Sequence, residues 1–325
     1  MTKKDTLNYE YCPSPTIKVK SARRIGYGAN KNSLQDTLLL HEEWIEDGHL
    51  FGILDGFGPH GRAASEFLAN YLFTKIEGNR RELFSIRYEK EIGDILKDIL
   101  KDIENMLKES EIDCSESGTC ILCLLIIRNK GFIINLGNSR AVIFSESPQI
   151  TGLTQLTKDH NAEDESEQKR INKQGGKTRK IVLPSGDEIG SNRIWLDSEK
   201  PGFTTTRALG GFKYKKILSS EPDIIKIELT ASDKFITLAS DGVWDVMKNE
   251  EVVEFIQTTE PDSEDNIAES LIKEAFNRWD KLIKRPKEYH LGVGDDPNNI
   301  NGADDVSVIV LYLQFPSKAG TDGLQ

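Results

Sequence analysis

The sequence predicts a layered α/β fold in which antiparallel sheets carry helices on their outer faces. Three observations predict it. Short apolar runs of strand length alternate with long amphipathic stretches of helical period. Two of those runs are joined by a connection too short for anything but an antiparallel hairpin. Two helical stretches follow one another with no strand between them, which breaks the strict βαβα alternation of a parallel doubly wound sheet.

Taken in chain order, Leu50–Leu54 is an apolar run that ends on an aspartate and reads as a strand. Arg62–Ile76 and Glu91–Lys108 have helical period; in the second, Ile92, Ile95, Leu96, Ile99, Leu100, Ile103, Met106 and Leu107 share one face, which a sheet or another helix must cover. Thr119–Ile127 and Gly131–Leu136 are strands paired across Arg128-Asn129-Lys130-Gly131, where Asn and Gly supply the turn. Ala141–Phe144, Lys234–Ala239 and Val306–Leu313 are further strands, and Asp265–Ile283 is a third helix. Asp159–Pro201 is polar and broken by Gly175-Gly176, Pro184 and Gly186, so an irregular surface subdomain is expected there. The residues after Phe315 are expected to fray.

A chain of 325 residues is long enough for one large core, and 37% hydrophobic with 29% charged residues suits a folded protein. With 42 Lys+Arg against 53 Asp+Glu the net charge is −11, which disfavours nucleic acid and anionic membrane surfaces as partners. The longest apolar run, Cys120–Ile127, has eight residues, against roughly 20 for a membrane-spanning helix. The N-terminus lacks a signal-peptide pattern, Thr2 stands where myristoylation needs Gly, and the C-terminus has no prenylation Cys. A cytoplasmic or nuclear monomer is therefore the expectation. Four cysteines make no disulfide framework, and Cys120 and Cys123, inside an apolar run with no second Cys/His pair, read as buried thiols rather than half a zinc site.

Carboxylates stand at the mouths of apolar strands: Asp36 before Thr37-Leu-Leu-Leu, Asp55 after Phe51-Gly-Ile-Leu, Asp241 after Phe235-Ile-Thr-Leu-Ala-Ser, and Asp304-Asp305 before Val306. One such acid is ordinarily a turn residue or a cap. Several at the ends of neighbouring strands repel one another unless cations neutralise them, and oxygen-only donors suit Mg²⁺ or Mn²⁺. Spacing by itself leaves a metal centre and scattered turn acids both open.

Local wording adds to this. Leu54-Asp55-Gly56-Phe57-Gly58, Gly118-Thr119, Asn135-Leu-Gly-Asn-Ser-Arg-Ala141, Leu156-Thr-Lys-Asp-His160, Arg170-Ile171 with Gly175-Gly176, Arg207-Ala-Leu-Gly210, Ala239-Ser-Asp-Gly-Val-Trp-Asp245 and Ala303-Asp-Asp-Val-Ser-Val-Ile-Val310 occur in that order. The chain resembles the metal-dependent type 2C serine/threonine protein phosphatases, from about Lys18 to Leu313. The resemblance implies a four-layer αββα sandwich of two antiparallel sheets flanked by helices, with a binuclear Mg²⁺/Mn²⁺ site between the sheets. It divides the chain into an N-terminal extension (1–17), a phosphatase-like domain (18–315, with 159–201 as a flap-like subdomain) and a C-terminal tail (316–325). It implies Asp55 as the acid bridging both ions, the Gly56 carbonyl as a ligand of one, Asp241 and Asp304 as ligands of the other, and Asp36 as an acid orienting water in the metal shell. The ions would lower the pKa of a bridging water for in-line attack on the phosphoester of a phosphoprotein substrate.

The chain also departs from that pattern. Phe57 replaces the His of Asp-Gly-His-Gly-Gly that protonates the leaving alkoxide, and His60 is a candidate substitute; loss of a general acid costs on the order of 10²- to 10⁴-fold. Gln35 stands where an acid precedes Asp36, and Lys31 stands where Arg grips phosphate, keeping charge but losing the bidentate fork. Asn138 and Gly211 replace two further acids, the first of them a ligand of a weaker third metal site, which leaves Asp245 as its neighbour. Asp305 stands where Asn is usual. The expectation is phosphoserine/phosphothreonine hydrolysis that is slow or unusually metal-dependent; the alternative is a catalytically inactive scaffold that docks proteins. Gly176-Lys-Thr178 lacks the first glycine of a phosphate loop, and the Asn/Asp-rich stretch Asp296–Asp304 lacks the glycine of a calcium loop. Trp244 and Trp279 read as core anchors.

Overall fold

The computed structural model describes residues 14–28, 32–45, 47–85, 91–149, 151–182, 188–196, 202–283 and 302–316. Lys31, most of the N-terminal extension, the C-terminal tail and most of the Asn/Asp-rich stretch lie outside them.

One sheet has five strands in the order β1 (Thr16–Arg24), β13 (Val306–Gln314), β12 (Asp233–Ala239), β6 (Arg140–Glu146) and β7 (Thr151–Gln155). The other runs β11 (Asp223–Glu228), β5 (Lys130–Leu136), β4 (Gly118–Ile127), β3 (Gly48–Phe57) and β2 (Thr37–Ile45), with the two-residue β10 (Leu209–Gly210) also pairing with β4. Every pairing within these sheets is antiparallel. The hairpin expected across Arg128–Gly131 is β4–β5, with Ile127 opposite Lys130 and Arg128 at φ 57°.

Alternation of side chains gives each central strand two apolar faces, which is why the runs read as continuous. Phe51, Ile53, Leu122, Leu124, Ile133, Ile236, Leu238, Ile309 and Leu311 fill the gap between the sheets. Leu50, Leu54, Ile121, Cys123, Leu125 and Ile134 face the other way, onto α1 (Gly61–Gly78) and α3 (Ile92–Glu109), which contribute Leu68, Leu72, Leu96, Leu100 and Ile103. The short α2 (Arg80–Leu83) links those helices. Val306, Val308, Val310 and Phe235 face α6 (Asn249–Gln257) and α7 (Ile267–Ile283), where Trp279 is 1% exposed. The arrangement is thus helix, sheet, sheet, helix.

The stretch 159–201 is more regular than its composition predicts. Asp164 caps α4 (Glu165–Lys173) by accepting from the Ser166 and Glu167 N–H groups, and β8 (Lys177–Val182) pairs with β9 (Glu188–Trp195) as a separate hairpin. A cap and a short polar hairpin carry no long apolar pattern, so composition alone reads them as loop. This unit has its own apolar cluster of Ala162, Ile171, Ile194, Phe203, Tyr214, Ile217 and Leu218, and Phe57 from the end of β3 belongs to it.

Candidate metal centre

Period two decides which strand residues look into the gap between the sheets. Phe51 and Ile53 fill that gap, so Asp55, two residues on, lies on the same face of β3. Leu38 packs against the same core, and Asp36 shares its parity. Cys120 is the cross-strand partner of Asp55 on β4, and carrying the β2–β3 register one step past Thr37 and Leu54 sets Asp36 opposite Asp55 on the other side. From the second sheet, Ser240 precedes the short α5 (Asp241–Trp244), whose first residue is Asp241, and Asp304 precedes β13.

The electrostatics tie these segments together. Asp55 is pushed well above the usual carboxylate range by burial first, then by the negative charges of Asp36 and Asp241, by Cys120, and by Asp304. Four acids from four separate chain segments therefore occupy one neighbourhood. Among the described residues, no three His, Cys, Asp or Glu side chains are closed around a single point. The donor set is carboxylate oxygen, mutually repelling and poorly solvated, which is the chemistry that a hard divalent cation neutralises. The residues present fit Mg²⁺ or Mn²⁺ on that ground.

The supporting contacts are specific. Asn138 Nδ2 donates to Asp241 Oδ2 at 2.7 Å, and Cys120 Sγ donates to Asn138 Oδ1 at 3.5 Å. A neutral amide thus holds Asp241 where a carboxylate would repel it. Asp305 is 2% exposed and accepts from the Gly26 and Gln35 N–H groups, each at 2.8 Å, so the second acid of the pair anchors backbone. Asp304 Oδ1 accepts from Asp305 N–H at 2.7 Å. Thr119 Oγ1 donates to the Asp55 carbonyl at 3.0 Å. Trp279 Nε1 donates to the Gly242 carbonyl at 2.8 Å, and Trp244 Nε1 to the Ala239 carbonyl at 2.9 Å, so both tryptophans pin the Asp241 turn from the core side.

Gly56 is required by space. A Cβ there would stand 2.4 Å from the Gly61 carbonyl oxygen and 2.8 Å from that of Gln35. Gln35 itself clamps the loop: its Nε2 donates to the Gly58 carbonyl at 2.7 Å, while its own carbonyl accepts from Ser65 Oγ at 2.6 Å. Its amide nitrogen is thereby committed to backbone.

The two residues tied to leaving-group protonation have surroundings of their own. Phe57 is 2% exposed, its ring edge-on to Phe203 at 5.1 Å, and Phe203 is edge-on to Tyr214 at 5.0 Å. That side chain is a core residue of the flap-like unit. His60 is exposed at the start of α1, its backbone N–H donating to Ser117 Oγ at 3.0 Å. Nearby Asp113 is held below the usual carboxylate range chiefly by hydrogen bonds from Ser115.

The loop bearing Asn138 is fixed by a residue that sequence reading left within a motif. His160 is 2% exposed; its Nδ1 accepts from Gly137 N–H at 3.1 Å, and its Nε2 meets Asp223 at 3.1 Å. Burial, and then Arg207, lower its pKa below 6.5, so the folded protein holds it neutral. A depressed histidine contributes stability that is lost as pH falls from 6.5 through the folded value, because the unfolded chain takes up the proton first. In thermal melts wild type should therefore lose melting temperature relative to His160→Gln as pH falls below 6.5, against the opposite drift set by the raised carboxyls of Asp55 and Asp245. His160→Gln should be less stable by about 1–3 kcal/mol at pH 7.5, with the deficit shrinking as pH falls; the slope that both proteins share belongs to His41 and His49, which burial lowers, and to the raised Asp55 and Asp245. An unchanged slope would assign the pH dependence elsewhere.

A protein-family model described as Protein phosphatase 2C matches residues 25–280. The chain belongs to the protein phosphatase 2C family. It is 34% identical over 284 residues to the probable protein phosphatase 2C 61 of Arabidopsis thaliana, covering 86% of this chain and 80% of that one. It is 30% identical over 290 residues to the probable protein phosphatase 2C 72 of the same plant, covering 86% and 81%. Among solved structures, it is similar to a serine-threonine phosphatase 2C from Toxoplasma gondii, with a TM-score of 0.70 and 18% identity, covering 94% of this chain and 98% of that one. At that identity the structural likeness speaks for the fold, which is the expected sandwich of two antiparallel sheets between helices. Phosphatases 2C are in general Mg²⁺- or Mn²⁺-dependent, in keeping with the carboxylate set. No helix among the described residues of this phosphatase is long and apolar enough to cross a membrane.

Proposed function

We propose that this phosphatase hydrolyses phosphoserine and phosphothreonine in proteins, slowly, using two Mg²⁺ or Mn²⁺ ions held by Asp55, the Gly56 carbonyl, Asp241 and Asp304, with Asp36 at the edge of the same set. The observation that carries the reading is the approach of Asp36, Asp241 and Asp304, from three other chain segments, to the buried Asp55, near enough for their charges to raise its pKa. When bound, the ions would supply Lewis acidity, making a water nucleophilic near neutral pH and offsetting phosphoryl charge.

The chain's own residues supply the rest. Asp55 and Asp241 bind, and Asn138 orients Asp241 through its 2.7 Å hydrogen bond without adding charge. Gln35 holds the loop that carries Gly56 and Gly58, which fixes the approach of the substrate face. Lys31, outside the described residues, is proposed as the cation for phosphate. Phe57 has no proton to give, so the departing serine or threonine oxygen takes its proton from water or from His60, and slow turnover follows.

The test is turnover of a phosphothreonine peptide and of p-nitrophenyl phosphate with Mn²⁺ and with EDTA, in wild type and Asp241→Ala. Wild type should depend on Mn²⁺, and Asp241→Ala should lose on the order of 10³-fold. Equal rates in the two proteins would remove the assignment. Calorimetric Mn²⁺ binding with no turnover in wild type would move the chain to the protein-docking alternative.

A further inference from the structure

A groove of about 540 Å³ runs along the outer edge of the six-stranded sheet, lined by Thr37–His41 of β2 and by Glu66, Ala69, Asn70, Phe73 and Thr74 of α1. Strand β2 ends the sheet, and among the described residues no strand pairs with its outer side. Both parities of the strand line the groove, Leu38 and Leu40 as well as Leu39 and His41, so the opening wraps around the strand edge. Leu40 is 39% exposed, and the His41 ring lies flat on Phe73 at 3.5 Å.

Natural edge strands are commonly blunted by bulges, prolines or lysines. Here the pairing of Thr37–His41 with β3 is regular, and the irregularity falls beyond it, between His41 and Ile45. The straight stretch and the groove thus end together. At the other end, Thr37 follows Asp36, a member of the carboxylate set. Five strand residues span about 17 Å, room for a flank of about five extended residues. Of the lining side chains Glu66 is the one charged at neutral pH, because burial keeps His41 neutral; its partner Arg62, at 2.8 Å, is 61% exposed, and such a surface pair exchanges at little cost.

We propose that the segment preceding the phosphorylated residue of a protein substrate adds to β2 as an antiparallel strand, an apolar side chain resting on Leu40 and a Lys or Arg meeting Glu66. The inference rests on the phosphatase reading above. Its direction follows from the strand: β2 runs away from Asp36, so an antiparallel partner runs toward the carboxylates and delivers the residue at its C-terminal end to them. Main-chain hydrogen bonds would supply affinity and alternate side chains preference, the usual division in strand addition.

The experiment is a series of phosphothreonine peptides sharing a short core, extended by six residues before or after the phosphorylated residue, with p-nitrophenyl phosphate as the control. Extension before it should lower KM about tenfold at unchanged kcat, and extension after it should do nothing. Leu40→Glu, at an exposed position, should return KM to the short-peptide value with p-nitrophenyl phosphate turnover unchanged. Glu66→Lys should reverse the preference between Lys and Glu in the flank. No gain from the preceding flank, a gain from the following flank, or a gain that survives Leu40→Glu would overturn the proposal. Fluorescence anisotropy of the same labelled peptides in EDTA reads the preference without turnover. A chain that hydrolyses nothing yet shows it would sink the phosphatase reading and keep the groove as a peptide site.

Discussion

Asp55→Asn is expected to lose phosphatase turnover by on the order of 10³-fold while the metal-free protein becomes more stable. The two effects have one cause. In the folded chain Asp55 is poorly solvated and faces Asp36, Asp241 and Asp304, all of which raise its pKa. A carboxyl raised above its unfolded value favours folding when protonated, and that contribution is lost as pH rises through the folded value. At neutral pH the ionised form therefore works against the fold, and asparagine, nearly the same shape and uncharged, removes the repulsion. In EDTA at pH 7.5 the variant should melt higher, by about 2 °C for each kcal/mol of repulsion relieved in a chain of this size. Near pH 4 the difference should shrink, because the wild-type carboxyl is then largely protonated. In millimolar Mn²⁺ the order should reverse, since only wild type gains the stabilisation of a bound cation. A variant that is less stable in EDTA would show that Asp55 is a structural acceptor, and one that retains turnover would remove it from the ligand set.

What could be read from the chain alone follows its physics. The central strands were legible because they are buried on both faces: Thr119–Ile127 has no polar residue after Thr119 and corresponds to β4 within one residue. Of the edge strands, the apolar start of β2 at Thr37-Leu-Leu-Leu was legible and β1, β7 and β11 were not. In β1, Lys18 and Lys20 punctuate the run Thr16–Arg24, as suits a strand with one open side, and the result looks like loop. Helix α6 is short and its start is held by one backward bond, the Lys248 N–H donating to Glu251 Oε2 at 2.8 Å, with a lysine at the N-cap position that standard signals do not flag. At the candidate site, Asp55, Asp241 and Asp304 stand out in the sequence because an acid at the end of an apolar strand is visible in one dimension. The surroundings of Phe57 were invisible, because the partners that make it a core residue, Phe203 and Tyr214, lie about 150 residues away in the sequence. Asn138 read as an acid lost, whereas its amide is a hydrogen-bond donor to Asp241, a role that only the approach of β5 and β12 ends reveals.

Gly242→Ala should damage stability and metal binding together. A Cβ at this position would lie 2.1 Å from the Asp305 carbonyl oxygen and 3.0 Å from its carbon, with Val306 Cγ2 at 3.1 Å. The first of these is backbone, which cannot swing aside as a side-chain end can. The turn cannot retreat either: Trp279 Nε1 holds the Gly242 carbonyl at 2.8 Å, and Ser240 exchanges backbone and hydroxyl bonds with Ser307 at 3.1 and 3.0 Å. Relief must come from parting the Asp241 turn from the entry to β13, which moves Asp241 away from Asp304. Overpacking of this kind costs about 1–3 kcal/mol, and displaced supporting contacts weaken metal affinity about 10- to 100-fold. Urea unfolding and Mn²⁺ calorimetry should therefore fall together in this variant. Gly152→Ala, whose Cβ would meet nothing within 4 Å, is the control and should stay within about 0.5 kcal/mol of wild type. Wild-type Mn²⁺ affinity in Gly242→Ala would mean that the close approach of Gly242 to Asp305 is not what brings Asp241 and Asp304 together, and the geometric basis of the centre would have to be sought in the Asp36–Asp55 strand pair alone.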